Sequence, residues 1–376
     1  MTSYATSTQR KQWTFTVDSL ATSRRRALDA AALAARPAGN THTAALLPPA
    51  PSAEQVLLLQ RYYTAKAKEV ATALQLPGKV FRTTSLLLAR CCLDATVLLH
   101  FDLRAVMLAC LYVACKAEER YVSADTLAAA VGGAAAAGGT GSCSGQGVLN
   151  AEVAILKACG FSLVTHHAHR AAHGFVAAAA EQQEAPRGVE GQAASPLSEL
   201  RGRALARCDA LFLCTDAPLL HSPGALGLAA VVHAARGTVW EPAVGAIAAR
   251  VANQHGHDVI RHALDAVHAA LACPPPDAEA VKAADRVCKS WRSALMALVK
   301  KAQAQARTSG GGGGGGGRPN TTSDVDDDGP GSVTPGVADD VPVPTSGDGR
   351  GEGDEPEPKR RRSETPMKDA TPSAVP

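Results

Sequence analysis

Apolar residues recur along most of the chain with the three-to-four spacing of helices, and strict alternation over strand lengths is rare. Ser52 with Gln55 forms a capping box ahead of a long helical stretch, 54–76, which Pro77-Gly78 stops. A second helix is predicted over 79–98. A third starts after Asp102 and runs to about 119, and its segment 105–115 is apolar on every face, the mark of a helix buried on all sides. Ser123 caps a short fourth helix that leads into a Gly/Ala segment, 132–147. A fifth, 149–159, ends at Gly160, a left-handed C-terminal cap. The scheme then repeats. Leu98-Leu99-His100 before an apolar helix returns as Leu219-Leu220-His221, 121 residues later, with Ser222 as N-cap and Pro223 in the first helical position. Flanking helices are predicted at 196–214, 242–252 and 258–272, and a last amphipathic helix at 277–305. The expected fold is all-α, two tandem five-helix units with extra helices at both ends.

Composition supports helices. Hydrophobic residues make up 46% but aromatics only 4%, so alanine and leucine carry the core. Both favour helix, whereas an all-β fold would draw on β-branched and aromatic residues. No apolar run approaches the ~18 residues of a membrane span, and residues 1–15 hold no apolar signal core. A soluble intracellular protein with no membrane partner is expected. The ten cysteines include no C-x-x-C pair, which argues against a zinc ribbon or a redox dithiol.

Charge divides the chain. From residue 308 onward seven Lys/Arg face thirteen Asp/Glu, so the remainder carries +9 of a net +3. That tail opens with eight glycines, 310–317, has few large apolar residues, and is expected to be disordered. Within it Lys359, Arg360, Arg361 and Arg362 form a candidate nuclear-import cluster.

No phosphate-cradling loop or H-E-x-x-H is present. His166, His167, His169 and His173 lack a neighbouring carboxylate or cysteine in sequence, so no metal and no cofactor is expected, nor an active site of the chain's own.

Arg104-Ala-Val-Met-Leu-Ala-Cys-Leu-Tyr-Val-Ala-Cys-Lys116-Ala-Glu-Glu119 resembles the central helix of a cyclin box, and Glu152-Val-Ala-Ile-Leu-Lys-Ala-Cys-Gly-Phe161 resembles its fifth helix. Three further stretches are similar to the cyclins of the CDK-activating kinase. They are Gln9-Arg-Lys-Gln-Trp13-Thr-Phe15, the histidine-rich bridge 161–175, and Thr215-Asp216-Ala217 with Leu219, Leu220 and Pro223. The chain departs from the family in the Gly/Ala segment, in Cys91-Cys92-Leu93 where cyclins carry aromatics, and in a bridge without the family's prolines.

The resemblance implies an N-terminal extension with a helix over 1–50, a first cyclin box over 51–162, a second over 163–273, a C-terminal helix over 274–307 and the tail 308–376. It implies a regulatory, non-catalytic subunit that binds a cyclin-dependent kinase through Lys116 and Glu152, with Val113, Ala117, Leu156 and Phe161 as apolar contacts. Trp13 and Phe15 would belong to an N-terminal helix docked, with the C-terminal one, beside the first box. A RING-finger assembly factor and the core of transcription factor TFIIH are the other partners implied. The implied activities are phosphorylation of kinase activation loops and of RNA polymerase II C-terminal repeats, in the nucleus. Another transcriptional cyclin is an open alternative. A TFIIB-like DNA-binding factor also uses two such folds, but the missing zinc ribbon and dispersed basic residues disfavour specific nucleic-acid binding.

Overall fold

The computed structural model describes residues 3–34, 48–132, 144–182 and 195–309, and every regular element among them is helical. The import cluster at 359–362 and the glycine-led tail lie outside the described residues.

After a 3₁₀ turn at Tyr4–Thr6 come α1 (Thr8–Gln12) and α2 (Val17–Ala34), then α3 (Ala53–Ala73), α4 (Gly78–Cys91), α5 (Ala95–His100), α6 (Leu103–Ala117), α7 (Ala124–Gly132) and α8 (Gly145–Ala158). The capping box before α3 is formed in full: Gln55 N donates to Ser52 Oγ and Ser52 N to Gln55 Oε1. α6 is the hub, packed against α3, α4, α7 and α8, with Leu103 and every residue from Ala105 to Leu111 buried. An apolar surface on all sides leaves the helix no solvated face, and wrapping it is the arrangement that removes most of that surface from water.

The second repeat follows as α9 (Ala168–Gln182), α10 (Pro196–Cys214), α11 (Ala217–Leu220), α12 (Pro223–Ala235), α13 (Glu241–His255) and α14 (His257–Ala272). α12 takes the place of α6 and packs on α9, α10, α13 and α14. The internal repeat is visible in the caps. Asp102 Oδ1 accepts from Ala105 N at 2.7 Å before α6, and Ser222 Oγ accepts from Ala225 N at 3.2 Å before α12. Alanine lets these helices approach closely. At Gly227 a Cβ would sit 2.6 Å from the Ala168 carbonyl oxygen and 2.8 Å from Ala172 N, so α9 and α12 touch backbone to backbone.

Three expectations about elements change. The single helix over 79–98 is two, because Cys92 ends α4 and Asp94, whose Oδ1 accepts from Val97 N at 2.9 Å, starts α5. α8 begins at Gly145, before the expected 149: Ser144 caps it and the burial of Val148 outweighs the poor helix propensity of two glycines. Trp13 and Phe15 are not on a helix; Trp13 is the C-cap of α1 and Phe15 lies in the link to α2.

The last element, α15 (Ala278–Ser309), runs back along the first repeat. Its Val281, Trp291 and Leu295 share a core with Leu28 and Ala31 of α2, Leu59 of α3 and Leu98 and Leu99 of α5.

The two repeats are tied by the N-terminal segment and the link 162–167. Gln9 is buried and clamps that link, donating from Nε2 to the His166 carbonyl at 3.1 Å and accepting from His166 N at 2.7 Å. Phe15 N donates to the Leu219 carbonyl, and Arg24 makes a two-pronged ion pair with Asp216 at 2.6 and 2.8 Å. Arg90, fully buried, donates to the Ser162 carbonyl at 2.7 Å and lies 4.9 Å from the Trp13 ring centroid. Beneath these ties an apolar cluster joins Leu20, Phe81, Leu86 and Ala89 to Phe212 and Leu219 of the second repeat.

Candidate functional site

α6 and α8 lie side by side, and their outward residues meet at Lys116 and Glu152. Lys116 occupies the last turn of α6, where a cation is favoured by the helix dipole. Its Nζ stands 2.6 Å from Glu152 Oε1 and 4.4 Å from the Tyr112 ring centroid. Donating to the Glu152 carboxylate raises the Lys116 pKa, outweighing the opposing effect of burial, so the ammonium is held charged. The two side chains are 51% and 19% exposed, which leaves both able to reach outward. An ammonium has three donors and the pair uses one; the carboxylate keeps acceptor capacity as well.

α8 buries Val148, Ala151 and Ile155, so 149, 152, 153 and 156 line its opposite face. Val153 is 56% exposed and Leu149 is also exposed; Leu156 and Ala117 are half-buried. Phe161 is 66% exposed and holds φ at +54°, directly after Gly160 at +56°. The turn is fixed because Phe161 N donates to the Leu156 carbonyl and Gly160 N to Lys157. A bulky residue with positive φ is held against its preference, and such positions concentrate at functional sites.

Val113 does not fit the expected contact. It is 1% exposed, packed inside the first core, and supports Lys116 from within. Val153 and Leu149 present apolar surface instead. The signal was in the sequence, since they precede and follow Glu152 on the face opposite the buried positions. Trp13 and Phe15 sit away from this surface, over Arg90 and against the inter-repeat cluster.

The histidines divide. His169 is buried and its Nε2 lies 2.7 Å from Asp209 Oδ1, a carboxylate brought from 40 residues away. Lys68 Nζ meets the other Asp209 oxygen at 3.0 Å and Arg82 Nε lies 3.8 Å from Oδ1. Burial pushes Asp209 up, but the hydrogen bonds from His169 and Lys68 outweigh it and hold the carboxyl at about 2. Burial lowers His169 despite Asp209, so at neutral pH the imidazole is uncharged and donates Nε2–H, and Lys68 supplies the charge. Among the described residues no group of three or more His, Cys, Asp or Glu is placed to hold a metal ion, and no helix is long and apolar enough to cross a membrane.

Two stacked helical repeats, each wound around one buried helix, with a Lys–Glu pair between α6 and α8 of the first, define a cyclin. The profile described as Cyclin, N-terminal domain matches residues 66–164. Cyclin-H1-1 of Arabidopsis thaliana is 31% identical over 251 residues, covering 61% of this chain and 70% of that protein. The putative cyclin-H of Dictyostelium discoideum is 28% identical over 181 residues, covering 46% of this chain and 56% of that protein. Among solved structures, a chain of the CAK complex from Chaetomium thermophilum superposes with a TM-score of 0.61 at 19% identity, covering 84% of this chain and 98% of that one. A chain of the yeast TFIIK (Kin28/Ccl1/Tfb3) complex gives 0.52 at 20% identity, covering 70% of this chain and 100% of that one. At such identities these two structures show a shared fold. The chain belongs to the cyclin H family.

Proposed function

We propose that this chain is the regulatory, non-catalytic subunit of a cyclin-dependent kinase of the CDK-activating type, docking its kinase through the Lys116–Glu152 surface. The observation that carries the reading is that pair: a charged, half-exposed ammonium fixed to a carboxylate, beside exposed Val153 and Phe161 on a rigid helical frame. A protein kinase is active when its αC glutamate reaches the β3 lysine. A rigid module that binds this arrangement better than the inactive one shifts the kinase towards activity. Lys116 would donate to carbonyls at the end of the kinase helix, Glu152 would orient Lys116 and accept from partner N–H groups, and Leu156, Ala117 and Phe161 would cover apolar kinase side chains. Trp13 and Phe15 act from behind, setting the angle between the repeats.

Family membership and the complexes in which the two solved neighbours occur support the wider reading. The kinase subunit, a RING-finger assembly factor and the TFIIH core are the partners. Kinase activation loops and RNA polymerase II C-terminal repeats are the substrates, in the nucleus, with Lys359, Arg360, Arg361 and Arg362 as the import cluster.

The test is co-purification of kinase activity on a polymerase C-terminal repeat peptide, comparing wild type with Lys116→Ala/Glu152→Ala. An exposed pair contributes no more than ~1 kcal/mol to folding, so the thermal midpoint should barely move while recovered activity collapses. Equal recovery from both proteins places the interface elsewhere.

A further inference from the structure

We propose that Arg207, His233, His268 and Arg236 form a phosphate-binding site on the second repeat, one that takes a phosphorylated serine or threonine of a partner polypeptide. The four side chains come from α10, α12 with the residue that ends it, and α14, and they touch in sequence. Arg207 Nε donates to His233 Nδ1 at 2.9 Å. The His233 and His268 rings meet edge to face with centroids 5.1 Å apart. Arg236 Nη1 donates to His268 Nε2 at 2.9 Å. Arg207 is further fixed through Nη1 to the Arg203 carbonyl at 2.8 Å.

Each imidazole thus serves as an acceptor that aims a guanidinium, and neither arginine is consumed by a carboxylate. Among the described residues, none of the four has an ion-pair partner; Glu199 lies 3.9 Å from Arg203, and Glu241 accepts from Gly237 N next to Arg236. Burial and the neighbouring Arg207 and Arg236 lower the His233 pKa, as expected for a ring set among cations. Arg207 and Arg236 keep further N–H groups beyond these bonds, and a bound phosphate dianion can accept from them.

A local patch of two arginines suits one phosphomonoester better than a nucleic-acid backbone, which needs a continuous cationic track. The surrounding surface does not offer one. On α14 Asp258 neutralises Arg261 at 2.8 Å, and at the start of α13 Glu241 is occupied by Gly237 N. The site uses none of the residues of the kinase-facing surface, so it stands or falls independently of that reading.

The test uses the full chain and fluorescence anisotropy with a labelled, capped pentapeptide holding one phosphoserine between Gly-Ser flanks, its unphosphorylated twin, and a 15-bp DNA duplex. The phosphopeptide should bind saturably and at least about tenfold more tightly than its twin, a difference of roughly 1.4 kcal/mol. Arg207→Gln/Arg236→Gln should abolish that difference at an unchanged circular dichroism spectrum. If the double variant does not fold, Arg236→Gln alone, on an exposed side chain, should weaken phosphopeptide binding. Equal binding of the two peptides, binding unaffected by Arg236→Gln, or a duplex that outcompetes the phosphopeptide would each overturn the proposal.

Discussion

His167 lies where the two repeats meet, and its ionisation sets an acid limit to the fold. Its Nε2 is 3.2 Å from Thr83 Oγ1 and 3.1 Å from Thr165 Oγ1, and its Nδ1 is buried without a partner. The ring packs edge-on against Phe212. Burial is the main reason its pKa falls to about 3; Arg82, His169, His166 and Arg90 push in the same direction. The Thr83 hydroxyl donates to Glu118 at 2.7 Å. In the unfolded chain the imidazole titrates near ~6.5. Between these values the unfolded state binds a proton that the folded state refuses. Stability is therefore complete above about pH 6.5 and is lost as pH falls towards 3. One group changes stability by about 1.4 kcal/mol per pH unit in that window, so pH 5 should cost about 2 kcal/mol from His167 alone. His169, lowered by burial, adds loss of the same sign. Asp209 acts lower: its contribution is present above the unfolded carboxylate value of ~4 and disappears as pH falls through about 2. His167→Gln keeps an amide within reach of both threonines and removes the titration. Urea midpoints at pH 7.5 and 5.0 should show wild type losing about 2 kcal/mol more than the variant between the two conditions. Equal losses would refute the buried neutral imidazole.

Other expectations follow from the packing. Gly227→Ala inserts a Cβ against backbone atoms of α9 and should destabilise by about 1–3 kcal/mol despite better helix propensity, whereas Gly245→Ala, which meets nothing within 4 Å, should stabilise by roughly 0.5–1 kcal/mol; thermal midpoints decide both. Arg90 is held at about 10 by burial and leaves Nε and Nη2 without partners, so its desolvation offsets much of what the Ser162 bond and Trp13 contribute. Arg90→Met should then cost under about 1 kcal/mol and Arg90→Ala about 3; equal damage in denaturant titrations would show that the polar contacts dominate. Gln9→Ala removes two hydrogen bonds to the His166 backbone, at about 1 kcal/mol each, and faster amide exchange across 162–167 should report it.

Much of the architecture was legible from local rules. Capping residues Ser52, Asp102 and Ser222 and the stop at Gly160 mark helix ends by chemistry that acts within four residues, and the apolar girth of α6 announced its central place. The 121-residue repeat of Leu-Leu-His before an apolar helix exposed the duplication. Lys116 and Glu152, 36 residues apart, could be named because a family pattern joins them; spacing alone does not make them neighbours.

Tertiary structure decided the rest, because burial and proximity are properties of packing between distant segments. Val113 and Val153 are the same residue type on neighbouring helices, yet one is sealed in the core and the other faces solvent. Asp209 reaches His169 and Lys68 because α10 crosses α9 and α3, which turned a run of histidines into a neutral, pH-sensitive joint. The Arg207–His233–His268–Arg236 chain likewise draws on three helices. Its members are unremarkable in sequence, and only the fold, by stacking the helices that carry them, assembled their cationic groups without a matching carboxylate.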